Sequence, residues 1–181
     1  MKRVFWMEAL KGGTIIGLVG VGFSILTTTV GDESLGLLKV VNFLSSFVSI
    51  LLAFGLTRKF AAQHSRAEGF SFGRGVGYVV LMMLFAGFIQ GFYSAVMAKF
   101  FIGGELLQEI DNLMAAMQDT LPADQFDLTY SAMRSAVTNP LIITLSSMFS
   151  NVLYGAFMGI IIAFFTRRKA DIFAEEENTQ Q

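Results

Sequence analysis

Cysteine is absent from the 181 residues of this sequence, and histidine occurs once, at His64. Without cysteine the chain can form neither a disulfide framework nor a thiolate metal site. His64 belongs to no H-E-x-x-H sequence. The sequence G-F-S-F-G at 69–73 matches G-x-S-x-G, but it follows a charged loop and not the strand that a serine hydrolase needs there. We therefore predict that the protein is not an enzyme and holds no metal or other cofactor.

Charged residues are also scarce, at 15% of the chain, while apolar residues make up 54%. Soluble domains average about 25% charged residues. The charges leave four long gaps, each close to the ~20 residues with which a helix crosses a ~30 Å hydrocarbon core. These gaps predict four transmembrane spans, at about 12–30, 37–56, 75–101 and 140–165.

The spans are expected to be helices, because a segment in lipid must satisfy its backbone hydrogen bonds internally. A transmembrane β-barrel would need alternating segments of about 10 residues, and no such alternation is present. We therefore predict an all-α fold, an integral membrane four-helix bundle that forms a single domain over residues 1–181. The polar tail, residues 170–181, is expected to be disordered.

Basic residues are distributed unequally between the two sides of the predicted membrane segment. Ten of the 13 Lys and Arg residues lie in the N-terminal segment, the connection between the second and third spans, and the tail. The other two connections hold three basic residues and eight acids. Since Lys and Arg are enriched in cytoplasmic connections, we predict a multi-pass membrane protein with both termini in the cytoplasm.

Glycine is concentrated in the stretch G-F-S-F-G-R-G-V-G-Y at 69–78. A dinucleotide-binding loop would need G-x-G-x-x-G after a strand, and a P-loop would need G-K-[S/T]; neither pattern is present. The glycines instead fit helix packing, because G-x-x-x-G spacing lets helix backbones approach closely in membranes. Such pairs serve either packing within one bundle or contact between copies. The pairs are Gly13 with Gly17, Gly73 with Gly77, Gly87 with Gly91, and Gly155 with Gly159.

Each predicted span also carries a stripe of small or polar residues at helical spacing, and four such stripes are expected to meet on the axis of the bundle. The polar interior would then contain Asn42, Gln90, Asn151 and Tyr154. Two interpretations remain open. These side chains form interhelical hydrogen bonds, or they line a polar path. The second is disfavoured because no Asp, Glu or His lies deep in a span, where ion-coupled transporters usually keep one.

The segment 102–139, between the third and fourth spans, contains two amphipathic patterns separated by Pro122. Apolar residues recur there at helical spacing, which predicts two short helices folded as a hairpin on the outer face. The hairpin would cap the bundle or dock a partner through its Met-rich face. The candidate partner surface consists of Leu106, Ile110, Met114, Met117, Phe126, Tyr130 and Met133.

Three short sequences carry a resemblance to a known family: S-F-G-R-G at 71–75, T-N-P-L-I at 138–142 and T-R-R-K at 166–169. With them the chain resembles the domain-of-unknown-function 4199 family of four-helix membrane proteins, found mainly in Bacteroidota. In that family Ser-Phe-Gly-Arg begins the third span, an outer helical segment follows, and Asn-Pro opens the fourth. The resemblance implies an inner-membrane location and supplies no activity. The matching positions are Ser71, Gly73, Arg74, Asn139 and Pro140.

These observations favour a structural or interaction role, in which a scaffold or accessory protein presents an acidic periplasmic hairpin. The alternative is a small transporter or channel with a polar path between the helices. The expected partners are the lipid bilayer and either an envelope protein or further copies of the chain, with no nucleic acid.

Overall fold

The computed structural model describes residues 2–30, 35–63, 69–118, 120 and 122–169. The tail whose disorder was predicted, 170–181, lies outside the described residues. The described chain is helical almost throughout, which confirms the all-α fold. The elements in chain order are α1 (Lys2–Val30), α2 (Leu35–Ala62), α3 (Phe72–Met97), a π-helix (Ala98–Ile102), α4 (Gly103–Met117), α5 (Ala123–Thr138) and α6 (Pro140–Thr166).

Four helical segments are long and apolar enough to cross a membrane, and each overlaps one of the four predicted spans. They are Val4–Thr29, Gly36–Ala62, Phe72–Met117 and Pro140–Thr166. The protein is therefore a multi-pass membrane protein built as a helical bundle. Helix α3 lies between α1 and α6 and makes most of the interhelical contacts, while α2 packs mainly on α1.

Each of the four spanning helices has basic residues toward one of its ends. These four ends meet at one end of the bundle, which we call the basic end. An aromatic cluster joins them there: Phe5 of α1, Phe60 of α2, Phe70 just before α3, and Tyr78 of α3. The rings of Phe60 and Tyr78 are stacked, with centroids 4.3 Å apart. Phe5 meets both edge-on, at 5.7 and 5.6 Å, and Phe70 meets Phe60 edge-on at 6.0 Å.

A short backbone bridge connects the start of α3 to the end of α6 at this basic end. The N–H of Phe70 donates to the carbonyl of Arg168, and the N–H of Arg168 donates to the carbonyl of Phe70, both at 2.9 Å. Gly69 has φ 62°, in the left-handed region that favours glycine. That conformation turns the chain into the bridge, so the first glycine of the glycine-rich stretch has a turn-forming role.

Two of the spanning helices begin at capping residues. The Ser71 hydroxyl accepts from the N–H of Arg74 at 3.4 Å, at the start of α3. The Asn139 side chain accepts from the N–H groups of Leu141 and Ile142, at 3.0 and 3.4 Å, and Pro140 follows it in the first turn of α6. The expected start of the fourth span at Asn139 and Pro140 is thus confirmed, since a short polar side chain satisfies N–H groups that have no partner within the helix.

Helix α3 does not end at the membrane surface but continues through the π-helix into α4. The continuous helical segment Phe72–Met117 has 46 residues, which at about 1.5 Å per residue gives a contour length of roughly 70 Å. The π-helix adds its extra residue beside Gly103, where a Cβ would collide with the carbonyl of Ala98. The outer segment therefore begins as an extension of the third span.

Helices α4 and α5 pack against each other as the predicted hairpin, with further contacts to the π-helix and α6. Ile110 and Met114 are buried between them. The Tyr130 hydroxyl of α5 donates to the Asp111 carboxylate of α4 at 2.8 Å. Each helix is amphipathic, so pairing their apolar faces satisfies both at once. The hairpin between the third and fourth spans is confirmed.

Candidate functional site

Two of the four predicted interior polar residues come together in the middle of the bundle. The Asn151 side chain of α6 donates to the Gln90 side-chain oxygen of α3 at 3.4 Å, and it also donates to the Ser147 carbonyl at 3.0 Å. Both residues are half-buried. The pair links the two most closely packed helices through a hydrogen bond, which is the first of the two interpretations offered for the polar stripes.

Glycines enclose this pair on two sides. A Cβ at Gly20 of α1 would collide with the Gln90 amide, and a Cβ at Gly87 of α3 would lie 2.8 Å from the Asn151 Cβ. Backbone from α1 therefore lies directly against Gln90, while backbone from α3 lies against Asn151. The polar stripes of α1, α3 and α6 thus converge as predicted, and the three helices are closely packed where the stripes meet.

Asn42 does not join this group, which corrects the prediction. Its side chain is exposed on α2, and its carbonyl accepts from the Ser46 hydroxyl at 3.1 Å. The reason is that α2 packs tightly only toward the basic end. Ala53 and Thr57 are 0% exposed there, whereas Phe43 near the start of the helix is 74% exposed. Helical spacing placed Asn42 on the same face as Ala53 but could not show where the helices separate.

Tyr154 lies one turn beyond Asn151 on α6. Its hydroxyl is buried, and no hydrogen-bond partner is found for it in the part of the chain that the structure describes. Buried polar atoms are normally paired. The hydroxyl is therefore the one predicted interior group that the observed packing does not account for.

Three of the four predicted glycine pairs lie at helix–helix contacts. Gly13 and Gly17 face α3, Gly87 and Gly91 face α6, and Gly155 and Gly159 face α3 from the other side. The fourth pair, Gly73 with Gly77, has nothing within 4 Å of an added Cβ. The glycine that packs in this stretch is Gly75, whose added Cβ would lie 2.9 Å from that of Ala163. The motif identified the right stretch but the wrong face.

Two of the seven residues of the candidate partner surface are buried, which corrects the site prediction for those two. Ile110 is buried, and Met114 is only 1% exposed. The remaining members are half-buried: Leu106, Met117, Phe126, Tyr130 and Met133. The physical reason is that two amphipathic helices joined by a short turn bury their apolar faces most readily against each other. The exposed surface of the hairpin instead carries the acids Glu105, Glu109, Asp124 and Asp127.

The hydrogen bond between Tyr130 and Asp111 raises the pKa of the Tyr130 hydroxyl above its ordinary value of 10.0, and the negative charge of Asp111 acts in the same direction while Arg134 opposes it. The protonated hydroxyl is the form that donates. The bond therefore contributes its full stabilisation below pH 10 and loses it as the pH rises through the raised pKa.

We expect the alkaline absorbance titration of the protein to contain a tyrosine that ionises above pH 10.0 and is missing in Tyr130→Phe. The difference between the two titration curves isolates this group among the four tyrosines. A Tyr130 component that ionises at or below pH 10.0 would show that the bond to Asp111 does not form in solution.

The aromatic cluster at the basic end was not predicted from the sequence. Its four members come from four different segments, and their meeting depends on how the helix ends converge. The available signal was weak: each is an aromatic residue close to the charged end of a span. The cluster links α1, α2 and α3 at the basic end through contacts between their rings.

Comparison with known proteins gives one match. Residues 11–168 match the family described as "Protein of unknown function (DUF4199)". No curated protein and no solved structure matches the chain. The match covers most of the sequence, from within α1 to just past the end of α6, so the resemblance carried by Ser71, Asn139 and their neighbours is confirmed.

Proposed function

This chain belongs to the DUF4199 family, and since that family has no described activity, we propose a function from its own geometry. It is a structural or interaction protein, a scaffold or accessory protein, that holds the acidic hairpin α4–α5 outside the bilayer. Its role is to bind and position a partner, and it catalyses no reaction.

The observation that carries this proposal is the continuous helical segment from α3 to α4. Its contour length of roughly 70 Å is about twice the ~30 Å hydrocarbon core. Half of the segment is anchored in the bundle between α1 and α6, and the other half forms one arm of the hairpin. A helix shared in this way couples the position of the hairpin to the bundle, as a scaffold requires.

We place the protein in the bacterial inner membrane, with both termini in the cytoplasm and the hairpin in the periplasm. The placement is supported by the basic end of the bundle, where Lys11, Arg58, Arg74 and Arg167 lie on four different helix ends. Positive residues are retained on the cytoplasmic side of membrane proteins, and the acids of the hairpin lie on the other side.

The partner we propose is an envelope protein with a basic surface, because the charged residues exposed on the hairpin are mostly acidic. Complementary charge increases the rate and the specificity of association. Leu113 and Leu128 are exposed beside the acids and supply apolar contact. A second copy of the chain is the less favoured partner, since it would present the same acidic surface.

Site-specific photo-crosslinking in native membranes tests the proposal. A crosslinker at Gln108 or Gln125, both exposed on the hairpin, is expected to trap one envelope protein in stoichiometric amounts. The same crosslinker at the buried Met114 is the matched control and is expected to trap none. If Gln108 and Gln125 trap no protein while the chain is present at normal levels, the scaffold function is wrong.

A second candidate function is a small transporter or channel, and the buried unpaired hydroxyl of Tyr154 favours it. A polar path past Tyr154, Gln90 and Asn151 would use that group. Replacing both Gln90 and Asn151 with leucine separates the two functions. A scaffold should keep its crosslinks at Gln108, with an equal or higher melting temperature, because the amides only pair with each other and with the backbone.

A transporter should instead show solute-dependent swelling of proteoliposomes that the double leucine variant abolishes. We expect no such swelling from the wild-type protein. The variant leaves the contacts of Gly87 and Gly91 with the backbone of α6 in place, so a loss of swelling would report on the path itself.

A further inference from the structure

A cavity of about 330 Å³ lies at the basic end, between the last turns of α2 and the end of α6. It is distinct from the polar pair and from the hairpin. Its walls combine apolar and cationic side chains. They include Phe54, Arg58 and Ala61 of α2, and Phe165, Arg167 and Arg168 at the end of α6.

The fold holds the two sides of this cavity in place. Ala61 and Thr166 are buried and form its inner part. Beyond Thr166 the chain leaves the helix and is fixed by the two backbone hydrogen bonds between Phe70 and Arg168. Arg168 therefore extends from a fixed backbone beside α2, and the cavity does not depend on a free chain end.

Three arginines surround the opening, and within the described part of the chain none of them forms an ion pair with an acid. The ion pair found among the described residues is Glu8 with Lys11, on α1. The Arg167 guanidinium lies over the Phe164 ring, 4.7 Å from its centroid. The C-terminal ends of α2 and α6 each contribute only about half a negative charge. Among the residues that the structure describes, the opening thus carries an excess of positive charge.

Arginine is the residue best suited to phosphate, because its planar guanidinium donates two parallel hydrogen bonds to two oxygens. Basic pockets between transmembrane helices bind the head groups of anionic lipids. We propose that this cavity binds a phosphate group, held by Arg58 and Arg168. A phospholipid head group and a free phosphate compound share that chemistry.

The apolar walls favour the lipid as the source of the phosphate. Phe165 is 70% exposed next to the arginines. In a membrane protein that position places an aromatic ring beside the acyl chains, immediately below the head groups. A lipid would occupy both parts of the cavity, whereas a free phosphate would leave Phe165 without a role.

Native mass spectrometry of the full-length protein in detergent tests the proposal, with phosphatidylglycerol, phosphatidylcholine of the same acyl chains, and inorganic phosphate as separate probes. We expect retention of phosphatidylglycerol, with Arg58→Gln and Arg168→Gln each weakening it roughly tenfold through the loss of a charge-assisted bond. The matched control is Arg74→Gln, which removes an equal charge at the basic end outside the cavity, and it should bind as the wild type does.

Each of the other possible results also decides whether the cavity binds a phosphate group. If Arg74→Gln weakened the retention of phosphatidylglycerol equally, the effect would come from the overall positive charge of the basic end, and the proposed site would be overturned. Unchanged retention in the Arg58→Gln, Arg168→Gln double variant would also overturn it. Binding of inorganic phosphate in place of phosphatidylglycerol, lost in the double variant, would confirm the phosphate site and assign it to a free compound. The lipid-free melting temperature of each variant confirms that it is folded.

Discussion

Valine at both Gly87 and Gly91 is expected to separate α3 from α6 and to lower the melting temperature of the detergent-solubilised protein by roughly 10 °C. An added Cβ at Gly87 would lie 2.8 Å from the Cα of Met148, and one at Gly91 would lie 2.9 Å from the Cα of Thr144. Both obstacles are backbone atoms of α6, so a change of rotamer cannot relieve them. The two helices have to move apart.

The size of the effect follows from two opposing terms. Overpacking a close contact costs about 1–3 kcal/mol at each site. Replacing glycine in a helix recovers only a few tenths of a kcal/mol when the new residue is valine. The clash therefore dominates, and two sites on the same contact bring the total to roughly 2–6 kcal/mol. That is a large part of the 5–15 kcal/mol by which folded proteins are typically stable, to order of magnitude.

The matched control uses the same substitution on the same helix. Gly73 and Gly77 have the same spacing as Gly87 and Gly91, but an added Cβ there meets nothing within 4 Å. Valine at both should leave the melting temperature nearly unchanged. If both double variants lost stability equally, the loss would not depend on a neighbouring backbone, and the α3–α6 contact would not explain it.

Alanine at Tyr78 is expected to destabilise the protein by about 3 kcal/mol, since removing a buried aromatic ring leaves a cavity that the surroundings fill only in part. Tyr78 is 2% exposed. Its ring stacks on Phe60 and meets Phe5 edge-on. The substitution therefore removes contacts to two other helices at once, and chemical denaturation in mixed micelles measures the loss.

Two variants control this experiment. Tyr78→Phe keeps the stacked ring and should retain nearly all of the stability. Phe43→Ala removes an aromatic ring that is 74% exposed on α2 and should cost much less than Tyr78→Ala. A Tyr78→Ala protein as stable as Phe43→Ala would mean that the aromatic cluster does not hold the helix ends together.

The sequence predicted those features that depend on local chemistry. The four spans follow from long uncharged stretches, and the start of α6 follows from Asn139 and Pro140, whose capping geometry is local. The hairpin follows from helical spacing on either side of Pro122. Each of these needs information from only a few neighbouring residues.

Features that depend on which helix faces which could not be predicted in the same way. Asn42 has the spacing of an interior residue, but α2 packs closely only near its other end. Gly73 and Gly77 have the G-x-x-x-G spacing, but no other helix lies against them. Gly75 lies against Ala163 of α6 although it belongs to none of the predicted pairs. Met114 was placed on the apolar face of its helix as a surface residue, and the structure shows that it is buried.

The orientation of the hairpin relative to the membrane is the claim on which the scaffold function depends, and labelling with a membrane-impermeant maleimide tests it most directly. The chain contains no cysteine, so a single introduced cysteine gives an unambiguous signal. Gln108→Cys on the exposed face of α4 should be labelled in intact cells, or with the outer membrane permeabilised, while Lys169→Cys is labelled only once the inner membrane is opened. The reverse pattern would put the hairpin in the cytoplasm and contradict the account.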